Sequence, residues 1–192
     1  GRTSKITRQG GGGARQWRQR RQAPQERLSV LTTPPNPEVE VALRTFVAEV
    51  GLAGAQRWTP LSGGVSCNTW RVDDGARTVC VKRALSKLNV ADDWSAPVGR
   101  SLYEFRWFET ARDITPGCAP APLALDAERG LLAMEFLTEA DHPLWKQQLL
   151  AGEVRVSTAE AVGGQLGTIH AATAGRADIA ERFASDAIFF AL

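Results

Sequence analysis

The sequence predicts an α+β fold, in which an antiparallel sheet of about five strands carries a helix and is followed by further helices. Two observations support this prediction. Residues 56–83 alternate short apolar segments with turns rich in glycine and aspartate, a pattern typical of consecutive antiparallel strands. From residue 139 onward, the apolar residues recur instead at helical spacing. At 192 residues, the chain is long enough for one domain, or for one domain and part of another.

Composition narrows the class of protein. A hydrophobic content of 43% and a charged content of 23% are ordinary for a soluble globular protein. No apolar run approaches the roughly 20 residues of a membrane helix, so we expect no membrane partner. The three cysteines lack metal-ligand spacing, which favours buried thiols in a reducing compartment and hence a cytoplasmic location. The sequence does not indicate an oligomeric state.

The first 36 residues differ from the rest. They are rich in glycine, arginine and glutamine and show no apolar periodicity, so we predict a disordered tail over residues 1–36. Residues 1–30 hold eight basic residues and one acid, Glu26, whereas residues 31–192 hold 15 basic and 20 acidic residues, net −5. A Gly/Arg-rich run can bind nucleic acid through phosphates. Because Trp17 is its one aromatic residue, a solvated or non-native tail is the favoured interpretation.

The sequence at both ends leads us to expect that the chain is part of a longer protein. The only methionine is Met134, and the sequence stops at AIFFAL within what resembles an amphipathic helix. We therefore expect a sheet-containing domain over residues 37–138 and an incomplete helical region over residues 139–192.

The first predicted element of this domain is a helix that begins at Pro37 and ends at Gly51. Its apolar stripe consists of Val39, Val41, Leu43, Phe46, Val47 and Val50. It leads into a first strand near residues 56–61.

A glycine-containing turn over residues 62–66 follows that strand. Gly63 and Gly64 can adopt positive φ and allow close approach of the backbone to a ligand. Successive backbone N–H groups of such a turn can point at one anion, so Ser62 and Ser66 at its ends are candidate phosphate-binding residues with the two glycines.

Two strands joined by a hairpin turn come next. CNTWRV alternates as a strand, Asp73-Asp74-Gly75 suits the turn, and RTVCVKR returns. The returning strand carries Lys82, and the face to which it points depends on the strand register.

The next element is a helix beginning near Pro97, with Leu102, Phe105, Phe108 and Ala111 spaced to face the sheet. Glu104 lies beside that stripe. Its carboxylate can pair with Lys82, or it can be a surface residue with a helical neighbour such as Arg100. A second hairpin follows over PLALD and GLLAMEFL.

The second strand of that hairpin leaves the sheet through Met134, Glu135, Phe136 and Leu137. A strand that leaves the sheet beside a nucleotide cleft can offer backbone groups to adenine. The alternative is a sheet edge without a ligand.

The remaining segments are helical. Ser157 to Glu160 form a capping-box sequence, which begins a helix with Val162, Leu166 and Ile169 on one face. Its glycines, Gly163, Gly164 and Gly167, predict close packing against another helix, and His170 is expected in the core.

The order of these motifs resembles the aminoglycoside phosphotransferase family, small-molecule kinases with a protein-kinase-like fold. The resemblance covers about residues 38–192. LSGGVSCNTWRV is similar to the family's nucleotide loop, VCVKRAL to its lysine strand and SLYEFRWFE to its glutamate helix. LLAMEFL is similar to its hinge, and AVGGQLGTIHAATAG to the first long helix of its second lobe.

The resemblance implies ATP and Mg²⁺ as cofactors and a small-molecule alcohol, such as an aminoglycoside or another amino sugar, as acceptor. Gly63, Gly64 and Ser66 would cover the phosphates, Lys82 would contact the α- and β-phosphates, and Glu104 would orient Lys82. Residues 134–137 would contact adenine.

The sequence departs from the family pattern in its catalytic and metal-binding motifs. The family's H-G-D loop and its later metal-binding aspartate are expected beyond Leu192, so none of residues 1–192 is assigned as catalytic or as a metal ligand. We therefore predict that the chain binds ATP weakly at best and transfers no phosphate. Two alternatives stay open: a regulatory pseudokinase domain, and a nucleic-acid binder using the arginine-rich tail.

Overall fold

The computed structural model describes residues 37–52, 54, 56–61 and 64–189. The disorder that we predict for residues 1–36 lies outside the described residues.

A five-stranded antiparallel sheet forms the centre of the described chain, as the α+β prediction requires. Its strands lie in the spatial order β1-β2-β3-β5-β4. In chain order they are β1 (Arg57–Leu61), β2 (Cys67–Asp73), β3 (Thr78–Ala84), β4 (Pro122–Asp126) and β5 (Leu131–Glu135).

The turn between β2 and β3 forms where the sequence predicts it. Asp73 accepts a hydrogen bond from the Gly75 N–H (2.8 Å), and Asp74 accepts one from the Arg77 N–H (2.8 Å). Gly75 has φ +90°, a left-handed conformation that side chains disfavour. The two aspartates thereby hold β3 beside β2 and fix the register of Lys82.

Helices precede, interrupt and follow the sheet. They are α1 (Pro37–Glu49), α2 (Arg100–Ile114), α3 (Trp145–Leu150), α4 (Val156–Thr173), α5 (Ala177–Arg182) and α6 (Asp186–Phe189). Among the described residues, no helix combines the length and apolar composition needed to cross a membrane.

One face of the sheet, which we call the α1 face, packs on α1. Phe46 and Val47 of α1 are buried in one cluster with Val72, Val79 and Val81 of the sheet. Val41, which we expected in this stripe, is 64% exposed. At about 100° per residue, it lies nearly opposite Val39 on the helix, so the predicted stripe was one residue too wide.

The opposite face of the sheet, the α2 face, packs on α2. Phe108 of α2 and Ala119 are buried against Leu132 of β5, with Phe105 and Met134 partly buried beside them. This confirms that Phe105 and Phe108 lie on the sheet side of their helix.

The outer side of α2 holds the C-terminal helices. The Tyr103 hydroxyl donates to the Ala184 carbonyl (2.6 Å), and Arg106 donates to the Arg182 carbonyl (2.6 Å). Arg182 in turn pairs with Glu109 (2.5 Å). Polar contacts therefore contribute strongly to the attachment of α5.

Two of our expectations for α4 are wrong. A Cβ placed on Gly163, Gly164 or Gly167 would meet nothing within 4 Å, so these glycines do not mediate close helix packing in the described chain. Ile169 is buried, whereas His170 is exposed and not a core residue. Residues 169 and 170 are about 100° apart around the helix, which places the histidine outside the buried side.

The capping-box prediction is also wrong. Helix α4 begins at Val156, with Arg155 at the N-cap and no side-chain capping hydrogen bond. Since Ser157 is already inside the first turn, its side chain is not at the position that caps a helix.

Candidate functional site

Lys82 points to the α2 face. It pairs across the sheet with Thr69 of β2 and Leu132 of β5. Directly paired residues of antiparallel strands share a face, and Leu132 packs against α2. By the same alternation, Val81 points to the α1 face, where it is fully buried. The register thus settles the direction that the sequence left open.

Glu104 of α2 meets Lys82 from above this face. Its Oε1 accepts a hydrogen bond from Lys82 Nζ, so the predicted ion pair is present. The two side chains are 22% and 33% exposed, so the pair is accessible to solvent from one side. Arg100, the alternative helical neighbour, does not contact this carboxylate and binds backbone carbonyls instead.

The turn before β2 is described from Gly64 onward, and Ser62 and Gly63 lie outside the described residues. A Cβ on Gly64 would lie 2.9 Å from the Cys67 carbonyl oxygen, closer than real side chains approach. Glycine is therefore required here because the backbone approaches itself closely, whereas the sequence suggested close approach to a ligand.

The end of this turn is anchored to the chain that follows β3. The Ser66 carbonyl accepts the Leu85 N–H (2.9 Å), and the Val65 carbonyl accepts the Asn89 N–H (2.8 Å). Ser66 also accepts a hydrogen bond from Arg100 (2.5 Å). We name residues 64–66 the anchored loop.

A cavity of about 180 Å³ lies between the anchored loop, β3 and the start of α2. Its polar lining residues include Ser66, Lys82, Arg100, Ser101 and Glu104. Two of these side chains are cationic and one is anionic, so the lining carries a net positive charge. Such a lining favours an anionic group over a neutral or cationic one.

The other end of the α2 face contains residues 134–137. Met134 is half-buried and pairs with Cys80, and Phe136 lies 5.2 Å from the guanidinium of Arg71, measured to the ring centroid. Arg71 also pairs with Cys80, so it extends along this face from β2. These side chains form a continuous strip with Lys82, two residues further along β3.

The backbone amides of residues 134–137 are only partly used in hydrogen bonds within the chain. The Glu135 N–H donates to the Ala121 carbonyl (2.8 Å), and the Glu135 carboxylate accepts the Ala121 N–H (3.0 Å). The Leu137 N–H forms no hydrogen bond with any residue that the structure describes. Of these two amides, only that of Leu137 is available to a ligand.

Cys80 is the buried titratable group of this face. Burial raises the pKa of its thiol from 9.0 to about 11, so the group is neutral near physiological pH. It is therefore a neutral, buried contact between Arg71 and Met134. Cys67 and Cys118 are only half-buried, so the expectation of buried thiols is confirmed for Cys80 alone.

A second cavity, of about 250 Å³, lies on the outer side of α2. Its lining includes Glu109 and Arg182, which pair with each other, and Arg112, which donates to the Ala119 carbonyl (2.6 Å). It is the larger of the two, but its lining holds two cationic and two anionic side chains, the second anion being Asp113, so it carries no net charge. The cavity beside Lys82 has one cation in excess and is therefore the better candidate for an anionic ligand.

The described residues bring no three histidine, cysteine, aspartate or glutamate side chains together as a metal site. In comparisons with known proteins, no family model matches this chain, and no curated protein is significantly similar to it.

Sequence reasoning missed the role of Arg100. The signal was present, since Arg100 precedes Glu104 by four residues and must share its helix face. Two of its four carbonyl partners, those of Ser66 and Leu85, belong to distant segments, and no side-chain pattern in the sequence indicates them.

Proposed function

We propose that this chain binds the phosphates of ATP in the cavity beside Lys82, as part of an enzyme that transfers phosphate to a hydroxyl of a small molecule. In this proposal, the sheet and α2 form a protein-kinase-like nucleotide-binding lobe. The observation that carries it is the Lys82–Glu104 pair, held on the same face as a glycine-containing loop.

The pair gives Lys82 a defined position for this task. An ammonium group is a compact point charge with three donors, which suits a phosphate oxygen. Glu104 directs that charge into the cavity and prevents the flexible stem from turning to bulk water. Because phosphoryl transfer depends on positioning and charge stabilisation, a fixed cation contributes directly.

The adenine would lie at the other end of the strip. Half-buried Met134, which pairs with the buried Cys80, offers it an apolar surface, and the Leu137 N–H offers a hydrogen-bond donor. Because the Glu135 N–H is occupied by the Ala121 carbonyl, we assign the donor role to Leu137.

The acceptor would be an aminoglycoside-like amino sugar or another alcohol. We derive no step through Mg²⁺, because the described residues gather no set of ligands that fits it. The residues assigned here bind and orient the donor, and the proposal gives none of them the role of general base.

The test is equilibrium binding of ATP to the chain by calorimetry, with Lys82→Met as the variant. We expect Lys82→Met to weaken ATP binding by at least about tenfold, since it removes a charge-assisted contact to phosphate.

Arg44→Met is the control. Arg44 pairs with Glu40 (2.8 Å) on α1, which packs on the opposite face of the sheet, so this substitution removes one positive charge away from the cavity and the ATP affinity should match the wild type. Absence of saturable ATP binding, or equal weakening by both variants, would contradict the proposal. Because none of residues 1–192 is assigned as catalytic, we expect no transfer by this chain in assays with alcohol acceptors, and measurable turnover would contradict that expectation.

A further inference from the structure

We propose that Arg100 is a positioning residue, which holds the anchored loop at a fixed place over the Lys82–Glu104 pair. The geometric part of this inference stands on the structure alone, and its consequence for ATP rests on the proposed function.

The guanidinium of Arg100 ties three separate segments together. Its Nη2 donates to the carbonyls of Ser66 (2.5 Å) and Leu85 (2.8 Å). Its Nη1 donates to the carbonyls of Pro97 (2.8 Å) and Ala96 (3.2 Å). These carbonyls belong to the anchored loop, the chain after β3 and the segment before α2.

Few other side chains can make these contacts. The guanidinium is a rigid planar fork with five N–H donors, whereas a lysine offers three donors from a single nitrogen. Because both terminal nitrogens of Arg100 already donate to carbonyls, the group is not a free anion ligand. Its effect on a bound phosphate must therefore act through the position of the loop.

The same helix turn couples the loop to Glu104. Arg100 and Glu104 are four residues apart on α2, so they lie on one side of the helix and line one cavity. A helix shift that moves Glu104 away from Lys82 would also pull Arg100 away from Ser66. The loop and the ion pair are thus expected to move as one unit.

Two backbone amides report directly on the loop. The Leu85 N–H donates to the Ser66 carbonyl, and the Asn89 N–H donates to the Val65 carbonyl. Both hydrogen bonds open if the loop leaves its place, so their hydrogen exchange measures the anchoring without any ligand.

The experiment compares Arg100→Met and Arg100→Lys with the matched control Arg112→Met. Arg112 lies on the same helix but donates to the Ala119 carbonyl, away from the loop. Amide exchange of the full chain is followed by NMR, and ATP affinity is measured on the same samples. Arg100→Lys keeps the experiment decisive if Arg100→Met does not fold.

In Arg100→Met, we expect Leu85 and Asn89 to exchange at least about tenfold faster, while Val79 and Val81 in the core keep their rates. Arg100→Lys should be intermediate, and Arg112→Met should match the wild type. ATP affinity should fall in the same order as the loop protection.

Unchanged exchange at Leu85 and Asn89 in a folded Arg100 variant would overturn the inference. So would faster exchange with unaltered ATP affinity. If the wild-type chain binds no ATP, the proposed function fails, and the exchange rates still decide whether Arg100 positions the loop.

Discussion

The two faces of the sheet are built from the same strands but differ in nearly every physical property. On the α1 face, Phe46, Val47 and Val81 are buried among other apolar residues. On the α2 face, Lys82, Glu104 and Arg100 surround a cavity that solvent can enter. The first face lacks polar side chains in its centre, whereas the second concentrates them.

The difference shows how one strand can serve stability and binding separately. Successive residues of a strand point to opposite faces, so the side chains of Val81 and Lys82 have different surroundings although the residues are adjacent in sequence. Burial of apolar area on the α1 face holds the sheet together. The α2 face can therefore keep charged groups beside water without unfolding the domain.

The largest effect that we expect comes from the α1 face. Phe46→Ala should lower the free energy of unfolding by about 3–5 kcal/mol, because it leaves a cavity between α1 and the sheet. Val41→Ala on the same helix should change it by less than about 0.5 kcal/mol, since Val41 is exposed. Urea unfolding measures both values. A loss for Phe46→Ala as small as the one expected for Val41→Ala would show that α1 does not support the sheet.

The second prediction concerns the buried part of the α2 face. A pKa of about 11 instead of 9.0 lowers the thiolate fraction of Cys80 near pH 8 by about 100-fold. Alkylation of Cys80 in the folded chain should therefore be at least that much slower than that of a free cysteine, and half-buried Cys67 should react first. Mass spectrometry of the alkylated peptides gives both rates, and early modification of Cys80 would show that this end of the face is open.

The third prediction compares two glycines. Gly64→Ala should destabilise the chain by about 1–3 kcal/mol, because its Cβ would collide with the Cys67 carbonyl. Gly163→Ala should instead stabilise the chain by about 0.5–1 kcal/mol, since alanine favours the helix and the space around it is open. Thermal unfolding distinguishes the two signs, and destabilisation by Gly163→Ala would reveal a packing partner for α4.

The smallest effect is expected at the turn that sets the strand register. The hydrogen bond from the Gly75 N–H lowers the pKa of the Asp73 carboxyl below 3.8 in the folded chain. The charged form therefore stabilises the fold above pH 3.8, and this contribution is lost as the pH falls through the folded pKa. The stability difference between wild type and Asp73→Asn, measured by urea unfolding, should shrink on acidification, and a difference that stays constant would contradict this prediction.

Much of this arrangement could be predicted from the sequence, because local patterns determine it. Alternation and turn residues predict the five strands, and helical spacing predicts the Phe105 and Phe108 side of α2. These features depend on periodicities that neighbouring residues carry themselves. The pairing of Lys82 with Glu104 does not follow from periodicity, which also allows a surface position for Glu104, and only the order of the motifs favoured it.

Other features depend on contacts between distant segments, and the sequence could not supply them. The four carbonyls bound by Arg100 carry no residue-specific pattern. The glycines of α4 are compatible with tight packing or with open space, and the environment decides between them. For Gly64, the sequence suggested close approach of the backbone to a ligand, and the close contact with the Cys67 carbonyl became visible only in the structure.

The separation of stability from binding on opposite faces is tested most directly at Val81 and Lys82. The measurement is the free energy of unfolding and the ATP affinity of the folded protein, for Val81→Ala and Lys82→Met. We predict that Val81→Ala loses about 2 kcal/mol of stability and keeps its affinity. Lys82→Met should change stability by no more than about 1 kcal/mol and weaken ATP binding by at least about tenfold. Equal losses of stability in the two variants, or unaltered affinity in Lys82→Met, would contradict this account.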